Sequence, residues 1–323
     1  MMRYIMRWHT MSIKRIFLIC VLGYLMSGCQ NKAATLRIAV LPILDTLPLY
    51  VADAESMFEP YGLTVELVPA ASAAERDQLL QAGQVDGVIT DLVALVLYNR
   101  SQLQVTAVRY AMVPTDQFAQ FRLLAHAESH ITSPVQLKGA AIGISQGTVI
   151  EYLTTRLLER EAINLDQVDL LPVPKIPDRM ALFNAGELPA VMLPEPLASL
   201  AMQQGAVVIL DDTQYPDLSC SLFAFRNEVI DAHPAAVENF LSAVSEASLQ
   251  INADKTRWEN LLVAYELVPP PLIGAYQLPD YPDNAVPTAN QYQDVVQWLV
   301  DTDVLDNAPD YAQVVNASFL PEK

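Results

Sequence analysis

One short stretch of the chain has the residue types and spacing that acyl-transfer chemistry needs. Residues 143–147 read GISQG and fit the pattern G-x-S-x-G. In that pattern a serine sits on a sharp strand-to-helix turn, where its hydroxyl is exposed as a nucleophile. The same turn can hold a ligand without reacting, because the N–H groups at a helix N-terminus are free to donate hydrogen bonds. Ser145 therefore has two interpretations, a nucleophile and a hydrogen-bonding group.

A serine nucleophile needs a histidine base and an acid, which follow this kind of elbow in the order Ser, Asp/Glu, His. His233 is the only histidine after Ser145, and it precedes Pro234 at a predicted helix start. His126 and His130 come before Ser145, which breaks the order. We therefore expect Ser145 to hold a ligand and the protein not to be an enzyme. A secreted serine hydrolase that uses Ser145 is the alternative.

The elements around this turn are a short apolar strand and an amphipathic helix. The strand covers residues 141–144, and the helix begins near Thr148, with apolar residues at helical spacing up to Leu158. Similar units occur along the chain, and we predict strands at residues 36–41, 63–68, 86–89, 104–110, 121–125, 141–144, 168–173, 190–193, 206–210 and 222–226. Predicted helices lie between most of them, including residues 47–58. This alternation predicts an α/β fold with mainly parallel sheets, followed by a helical C-terminal part.

Length and composition limit the function classes. The chain has 323 residues, of which 52% are hydrophobic and 17% charged, which indicates a globular protein of about two domains. The net charge of −18 argues against nucleic acid as a partner, because phosphate binding needs a basic surface. Beyond residue 29 the only cysteine is Cys220, so we expect no internal disulfide, and the sequence shows no metal-ligand spacing and predicts no cofactor.

The N-terminus has the features of an export signal. An apolar run at residues 16–26 follows two basic residues and precedes Ser27, Gly28 and Cys29. The run is shorter than the roughly 20 apolar residues that span a bilayer, and it has the length of a signal-peptide core. The signal would be complete from Met11, so either Met1 or Met11 is the start.

The small residues before Cys29 resemble the bacterial lipoprotein signal, although Met26 stands where that signal usually has leucine. The resemblance implies that residues 1–28 are removed, that Cys29 carries a lipid, and that residues 29–35 form a tether. The protein would then be exported and anchored on the outer face of the bacterial cytoplasmic membrane or in the periplasm. An ordinary signal peptide that contains a cysteine is the alternative.

Four stretches occur in a characteristic order. They are PLYVADAESMF at residues 48–58, GLTV at residues 62–65, LLQAGQVDGVITD at residues 79–91, and LFNAGELPAVMLPEP at residues 182–196. Together they resemble the extracytoplasmic solute-binding proteins of ABC importers, in the branch that binds sulfonates, taurine and thiamine-pyrimidine precursors. The resemblance covers nearly all of residues 36–253.

The resemblance implies the type 2 periplasmic binding protein fold, in which two α/β lobes with mainly parallel sheets enclose a ligand cleft. Lobe 1 would comprise residues 36–121 and 223–323, and lobe 2 residues 122–222. The two crossovers of the hinge would lie near residues 121–124 and 222–225. The family implies a monomer that binds a small molecule and delivers it to the permease subunits of the transporter.

The ligand is expected beyond the carboxyl ends of the strands, as is general for open α/β sheets. On the loops at those ends, the resemblance and the strand positions imply ten ligand-binding residues: Asp45, Thr46, Thr90, Asp91, Tyr110, Ser145, Gln146, Gly147, Thr148 and Glu195. For Asp91 a helix-capping role is an open alternative.

The charges of these residues suggest the chemistry of the ligand. Asp45, Asp91 and Glu195 are acids, and Arg109 is the only cation that the predicted strand ends bring near them. An anion buried beside carboxylates is unfavourable. We therefore expect a small ligand with amino or ring N–H donors rather than a sulfonate.

Overall fold

The computed structural model describes residues 34–321. The predictions for the signal peptide, for the start at Met1 or Met11 and for the lipid on Cys29 lie outside the described residues.

The first five-stranded sheet combines strands from both ends of the chain. Its members are β1 (Ala34–Val40), β2 (Leu63–Pro69), β3 (Gly87–Asp91), β4 (Val105–Met112) and β10 (Ser221–Arg226). Their order is β2-β1-β3-β10-β4. β1 pairs in parallel with β2 and β3, whereas β10 is antiparallel to β3 and β4.

The second sheet has the same plan. Its members are β5 (Phe121–Ala125), β6 (Ala141–Ile144), β7 (Asp169–Pro172), β8 (Ala190–Pro194) and β9 (Val207–Asp211), in the order β7-β6-β8-β5-β9. β6 is parallel to β7 and β8, and β5 is antiparallel to β8 and β9. In each sheet four strands run one way and one runs against them, so the predicted α/β fold with mainly parallel sheets is confirmed.

Helices cover both sheets. Three follow strands of the first sheet, α1 (Leu47–Ala54), α2 (Ala73–Gln81) and α3 (Leu92–Asn99), and three belong to the second, α4 (Val149–Arg160), α5 (Ile176–Asn184) and α6 (Leu197–Gln203). The C-terminal part adds α7 (Asn227–Ala232), α8 (Pro234–Ala253), α9 (Glu259–Ala264), α10 (Ala289–Asp301) and α11 (Tyr311–Val314). The C-terminal helices pack on the first sheet or on its helices. We call the first sheet with α1–α3 and α7–α11 lobe 1, and the second with α4–α6 lobe 2.

Two sequence-based boundaries are wrong. The helix predicted at residues 47–58 ends at Ala54, because Ser56 takes a positive φ of 53° that an α-helix cannot contain. The crossovers predicted at residues 121–124 and 222–225 lie within β5 and β10. The chain instead passes between the sheets at residues 113–120 and 212–220.

The two crossovers are joined by Asp212, which is fully buried. Its carboxylate accepts hydrogen bonds from the backbone N–H groups of Gln120 (2.9 Å) and Phe121 (3.2 Å) and from the hydroxyl of Ser219 (2.6 Å). One carboxylate thus fixes the start of β5 to the second crossover.

The lobes lie against one another over part of their length. One buried apolar cluster includes Val88 and Leu95 of lobe 1 together with Ile142 and Leu153 of lobe 2. Burial of apolar surface between α3 and α4 therefore stabilises the approach of the lobes.

Candidate functional site

The turn between β6 and α4 is held by its own residues. Thr148 is the N-cap of α4, and its hydroxyl accepts a hydrogen bond from the Ile150 N–H (3.2 Å) and donates to the Ser145 carbonyl (2.7 Å). Gly147 has a φ of +73°, which favours glycine, and its N–H donates to Glu151 Oε2 at 2.6 Å. Gln146 and Gly147 are exposed at the tip of the turn.

Ser145 is buried below this tip and is not placed as a nucleophile. Its hydroxyl donates to the carbonyl of Pro174 (3.0 Å) and accepts from Nη1 of Arg179 (2.8 Å). A nucleophilic serine needs a base as the acceptor of its proton. Here the acceptor is a backbone carbonyl, and the second partner is a cation.

Arg179 fixes Ser145 to the neighbouring strands. It is fully buried on α5, and it also donates to the carbonyls of Met192 (3.0 Å) and Val173 (2.7 Å). These bonds tie the middle of β8 and the residue after β7 to Ser145, which follows β6. Burial lowers the pKa of Arg179 to about 10.

On lobe 1, Thr90 and Asp91 end β3 and begin α3. Asp91 is the N-cap of α3 and accepts from the Ala94 N–H at 2.9 Å. The Thr90 hydroxyl lies 3.4 Å from the Tyr98 hydroxyl. Burial raises the pKa of Asp91, while the nearby positive charge of Arg76 lowers it. The carboxylate of Asp91 also accepts from the Val93 N–H, so both of its backbone hydrogen bonds come from the start of α3.

A cavity of about 210 Å³ lies where these two turns meet. Lobe 1 contributes Arg76, Asp91 and Tyr98 to its lining, and lobe 2 contributes Gly147 and Thr148. Three of the ten predicted site residues, from loops far apart in sequence, therefore line one cavity between the lobes.

Asp45 lies in a second polar group, on the turn between β1 and α1. Gln120 Nε2 is 3.4 Å from Asp45 Oδ2 and 2.6 Å from Ser221 Oγ. Burial raises the pKa of Asp45 to about 6, although Ser221, the Asp45 backbone and Gln120 donate hydrogen bonds to the carboxylate. The side-chain partners of Asp45 are thus neutral. The neighbouring Thr46 hydroxyl donates to the Ile43 carbonyl at 2.6 Å and serves the turn itself.

Gln120 and Ser221 lie between this group and the end of β3 that carries Asp91. Gln120 ends the first crossover, and Ser221 opens β10, where it pairs with Asp91 across the β3–β10 ladder. Gln120 is 5% exposed, and its Oε1 atom is buried without a hydrogen-bond partner among the described residues. A buried acceptor without a donor is unfavourable, and a ligand N–H would satisfy it.

Glu195 is already neutralised by its surroundings. Its carboxylate forms an ion pair with Arg122 of β5 and accepts from the Tyr276 hydroxyl at 3.1 Å. Its backbone N–H donates to the Gln120 carbonyl at 2.9 Å. Glu195 therefore joins the two lobes near Gln120 without a free negative charge.

Tyr110 and Arg109 bind the C-terminal part of the chain. The Tyr110 hydroxyl donates to Gln291 Oε1 at 2.7 Å, and Arg109 donates to Asn284 Oδ1 (2.9 Å) and to the Pro282 carbonyl (3.0 Å). The expectation that Arg109 alone brings positive charge to the acids is wrong, because Arg122 and Arg76 do so.

Within residues 34–321, no group of three or more His, Cys, Asp or Glu side chains is arranged to hold a metal ion. In the same range, none of the helices is both long and apolar enough to span a bilayer.

The model of the NMT1-like family matches residues 30–263. The chain belongs to the NMT1-like family. No curated protein sequence matches the chain. Family membership agrees with the resemblance that the four sequence stretches indicate.

Solved structures of solute-binding proteins share the fold of this NMT1-like chain. The alkanesulfonate-binding protein SsuA from Xanthomonas axonopodis pv. citri, bound to MOPS, is 17% identical, with a TM-score of 0.74 over 88% of this chain and 99% of that one. The aliphatic sulphonate binding protein SsuA from Escherichia coli is 18% identical, with a TM-score of 0.75 over 87% and 97%. The desulfurization enzyme DSZB is 15% identical, with a TM-score of 0.66 over 88% and 97%. The fold thus occurs in binding proteins and in an enzyme.

Proposed function

We propose that this protein is the lipid-anchored solute-binding component of an ABC importer, which captures a small polar organic molecule between its lobes. The observation that carries the proposal is the cavity between the lobes, to which Asp91 contributes from one side and Gly147 and Thr148 from the other. A site assembled from two lobes forms only when the lobes approach, so binding and closure are coupled. The permease subunits of the transporter would then recognise the closed form.

A binding role is better supported than catalysis. The Ser145 proton is directed to the Pro174 carbonyl, and Arg179 occupies the place of a base. A thiol nucleophile within residues 34–321 would have to be Cys220, which is buried. Burial and the charge of Asp91 raise the pKa of that thiol, which disfavours the reactive thiolate. Neither residue is therefore prepared to act as a nucleophile.

The ligand is proposed to carry an amino group or a ring N–H donor. Of the three acids, Glu195 pairs with Arg122, and Asp91 caps α3 and has the charge of Arg76 nearby, although the ion pair of Arg76 is with Asp77. Asp45 is the acid whose pKa no cation lowers. Asp45 is buried with neutral side-chain partners, and a donor from the ligand would supply the missing positive or partly positive charge. The free Oε1 of Gln120 offers a second acceptor in the same group.

Isothermal titration with an aminopyrimidine, taurine and a simple alkanesulfonate tests this proposal. We expect the amine-bearing compounds to bind, and Asp45→Asn to weaken them by about tenfold or more. Asp53→Asn, an exposed position on α1, is the matched control and should bind as the wild type does. Tight binding of the alkanesulfonate alone would refute the ligand class. Steady turnover of a chromogenic ester that Ser145→Ala abolishes would refute the binding role.

The lipid anchor is proposed from the sequence of residues 16–29 alone. In bacteria that express the full chain, Cys29→Ser should prevent incorporation of labelled palmitate and release the protein from the membrane fraction. Cys220→Ser, a buried position in the folded part, is the control and should stay membrane-bound. Labelling of the Cys29→Ser protein would exclude this cysteine as the anchor.

A further inference from the structure

The C-terminal helix α10 is fixed to lobe 1. It packs against α3, and Gln291 in its first turn accepts the Tyr110 hydroxyl of β4. Farther along the chain, Val315 pairs with Ala107 of β4. α10 therefore moves with lobe 1 when the lobes separate.

One face of α10 meets α4, the helix of lobe 2 that begins at the ligand-facing turn. Tyr152 and Arg156 are four residues apart on α4 and thus lie on the same side of it. Both donate to Asp294 Oδ2, Tyr152 through its hydroxyl (2.6 Å) and Arg156 through Nε (3.0 Å). Nη2 of Arg156 also reaches the Asp294 carbonyl at 3.1 Å. A single residue of lobe 1 therefore receives three donors from α4.

The surroundings strengthen these bonds. Tyr152 is 1% exposed, and its ring meets that of Trp298 edge to face, with centroids 5.5 Å apart and planes at 72°. The Arg156 side chain is 13% exposed, whereas that of Asp294 is 38% exposed. Charge-assisted hydrogen bonds at a partly dry contact are stronger than those in water. Asp294 is exposed enough that water can replace the donors of α4 at its carboxylate when the lobes separate.

We propose that Asp294 is a positioning residue for the ligand turn, a latch that holds α4 and residues 145–148 at lobe 1 in the closed arrangement. The latch comprises Asp294 and Trp298 of α10 with Tyr152 and Arg156 of α4. The inference rests on the proposed function, because the turn that it positions is the proposed ligand contact of lobe 2. The hydrogen bond from the Tyr276 hydroxyl to Glu195 is a separate contact between the lobes that does not involve the latch. Loss of the latch therefore frees α4 without unfolding the hinge.

Hydrogen exchange measured by mass spectrometry on the ligand-free protein tests the latch. Asp294→Ala removes the two hydrogen bonds to the carboxylate and keeps the one to the carbonyl, and it should raise the exchange of α4 amides by about tenfold or more. Peptides from β1 and β10 should exchange as in the wild type. Tyr152→Phe removes one donor and keeps the ring contact, so it should raise α4 exchange by a smaller factor.

Asp301→Ala is the matched control, because Asp301 is exposed on the same helix and bonds to Gln297 of α10. It removes the same charge and should leave α4 exchange unchanged. The latch is refuted if Asp294→Ala has no larger effect than Asp301→Ala, or if exchange rises equally in β1 and β10. No ligand is used, so the result is independent of whether titration finds a solute.

Discussion

Asp45 makes the stability of the protein depend on pH in a way that can be calculated. Burial raises its pKa from 3.8 to about 6. The folded protein therefore binds a proton at Asp45 more tightly than the unfolded chain does. The stabilisation that this proton gives is fully present below about pH 4 and is lost as the pH rises through about 6. The shift of about two units corresponds to about 3 kcal/mol at neutral pH.

Replacement of Asp45 by asparagine isolates this effect. Asparagine is neutral at every pH and can still accept hydrogen bonds from Ser221 and Gln120. Between pH 7.5 and pH 5 the wild type should gain about 1.4 kcal/mol from the protonation of Asp45, a gain that Asp45→Asn lacks. Asp212, whose pKa burial also raises to about 6, titrates in both proteins and cancels in the difference.

The assay is equilibrium unfolding in urea at pH 7.5, 6 and 5, followed by circular dichroism and tryptophan fluorescence. We expect Asp45→Asn to be more stable than the wild type at pH 7.5, and the difference to decrease by about 1.4 kcal/mol at pH 5. Asp53→Asn makes the same chemical change at an exposed position and should show no such convergence. A difference that stays constant from pH 7.5 to 5 would refute the desolvation of Asp45.

Three further predictions concern the ion pair, the turn and the ligand. Arg122→Met should lower the free energy of unfolding, measured in urea, by about 3–5 kcal/mol, because it leaves buried Glu195 unpaired. Glu195→Gln should lower it less, because Arg122 keeps Asp211 as a partner at 3.9 Å. Equal losses of stability in the two variants would contradict this. Gly147→Ala should lower stability by about 1 kcal/mol through backbone strain alone, since an added Cβ meets no atom within 4 Å. Gly143→Ala should lower stability more, because its Cβ would lie 2.8 Å from Leu188. Thermal unfolding measures both variants, and the opposite ranking would be evidence against the turn geometry. The affinity for an amine-bearing ligand should rise about tenfold from pH 5 to pH 7 as Asp45 ionises, and titration calorimetry with Asp45→Asn should show no such rise.

Hydrophobic pattern was sufficient to find the strands because most of them are covered on both faces. In β3, for example, four of the five residues are buried, so the run of apolar residues marks the strand. Short elements without such a run were not found. Helix α7 has no buried residue, and α11 has four residues, so neither produces a clear period.

The candidate site was only partly predictable, for a reason of strand direction. Asp91, Gly147 and Thr148 end or follow strands, as the rule that ligands lie beyond carboxyl ends requires, and they line one cavity. Gln120 and Ser221 instead stand at the amino ends of β5 and β10. Because these two strands run against their neighbours, their amino ends lie at the same edge as the carboxyl ends of the others. Recognising them requires knowing which strands are antiparallel.

Charge compensation could not be predicted from the sequence either, and it decides the chemistry of the site. Arg122 is separated from Glu195 by more than seventy residues, yet β5 pairs with β8 so that the two side chains meet. Arg76 reaches the end of β3 from α2, where it donates to the Ile89 carbonyl at 3.2 Å. With these two arginines placed, Asp45 is the one predicted site acid that has only neutral side-chain partners and no cation that lowers its pKa. A buried carboxylate in that position favours a positive or donor group, and the proposed ligand class rests on this difference between Asp45 and the other two acids.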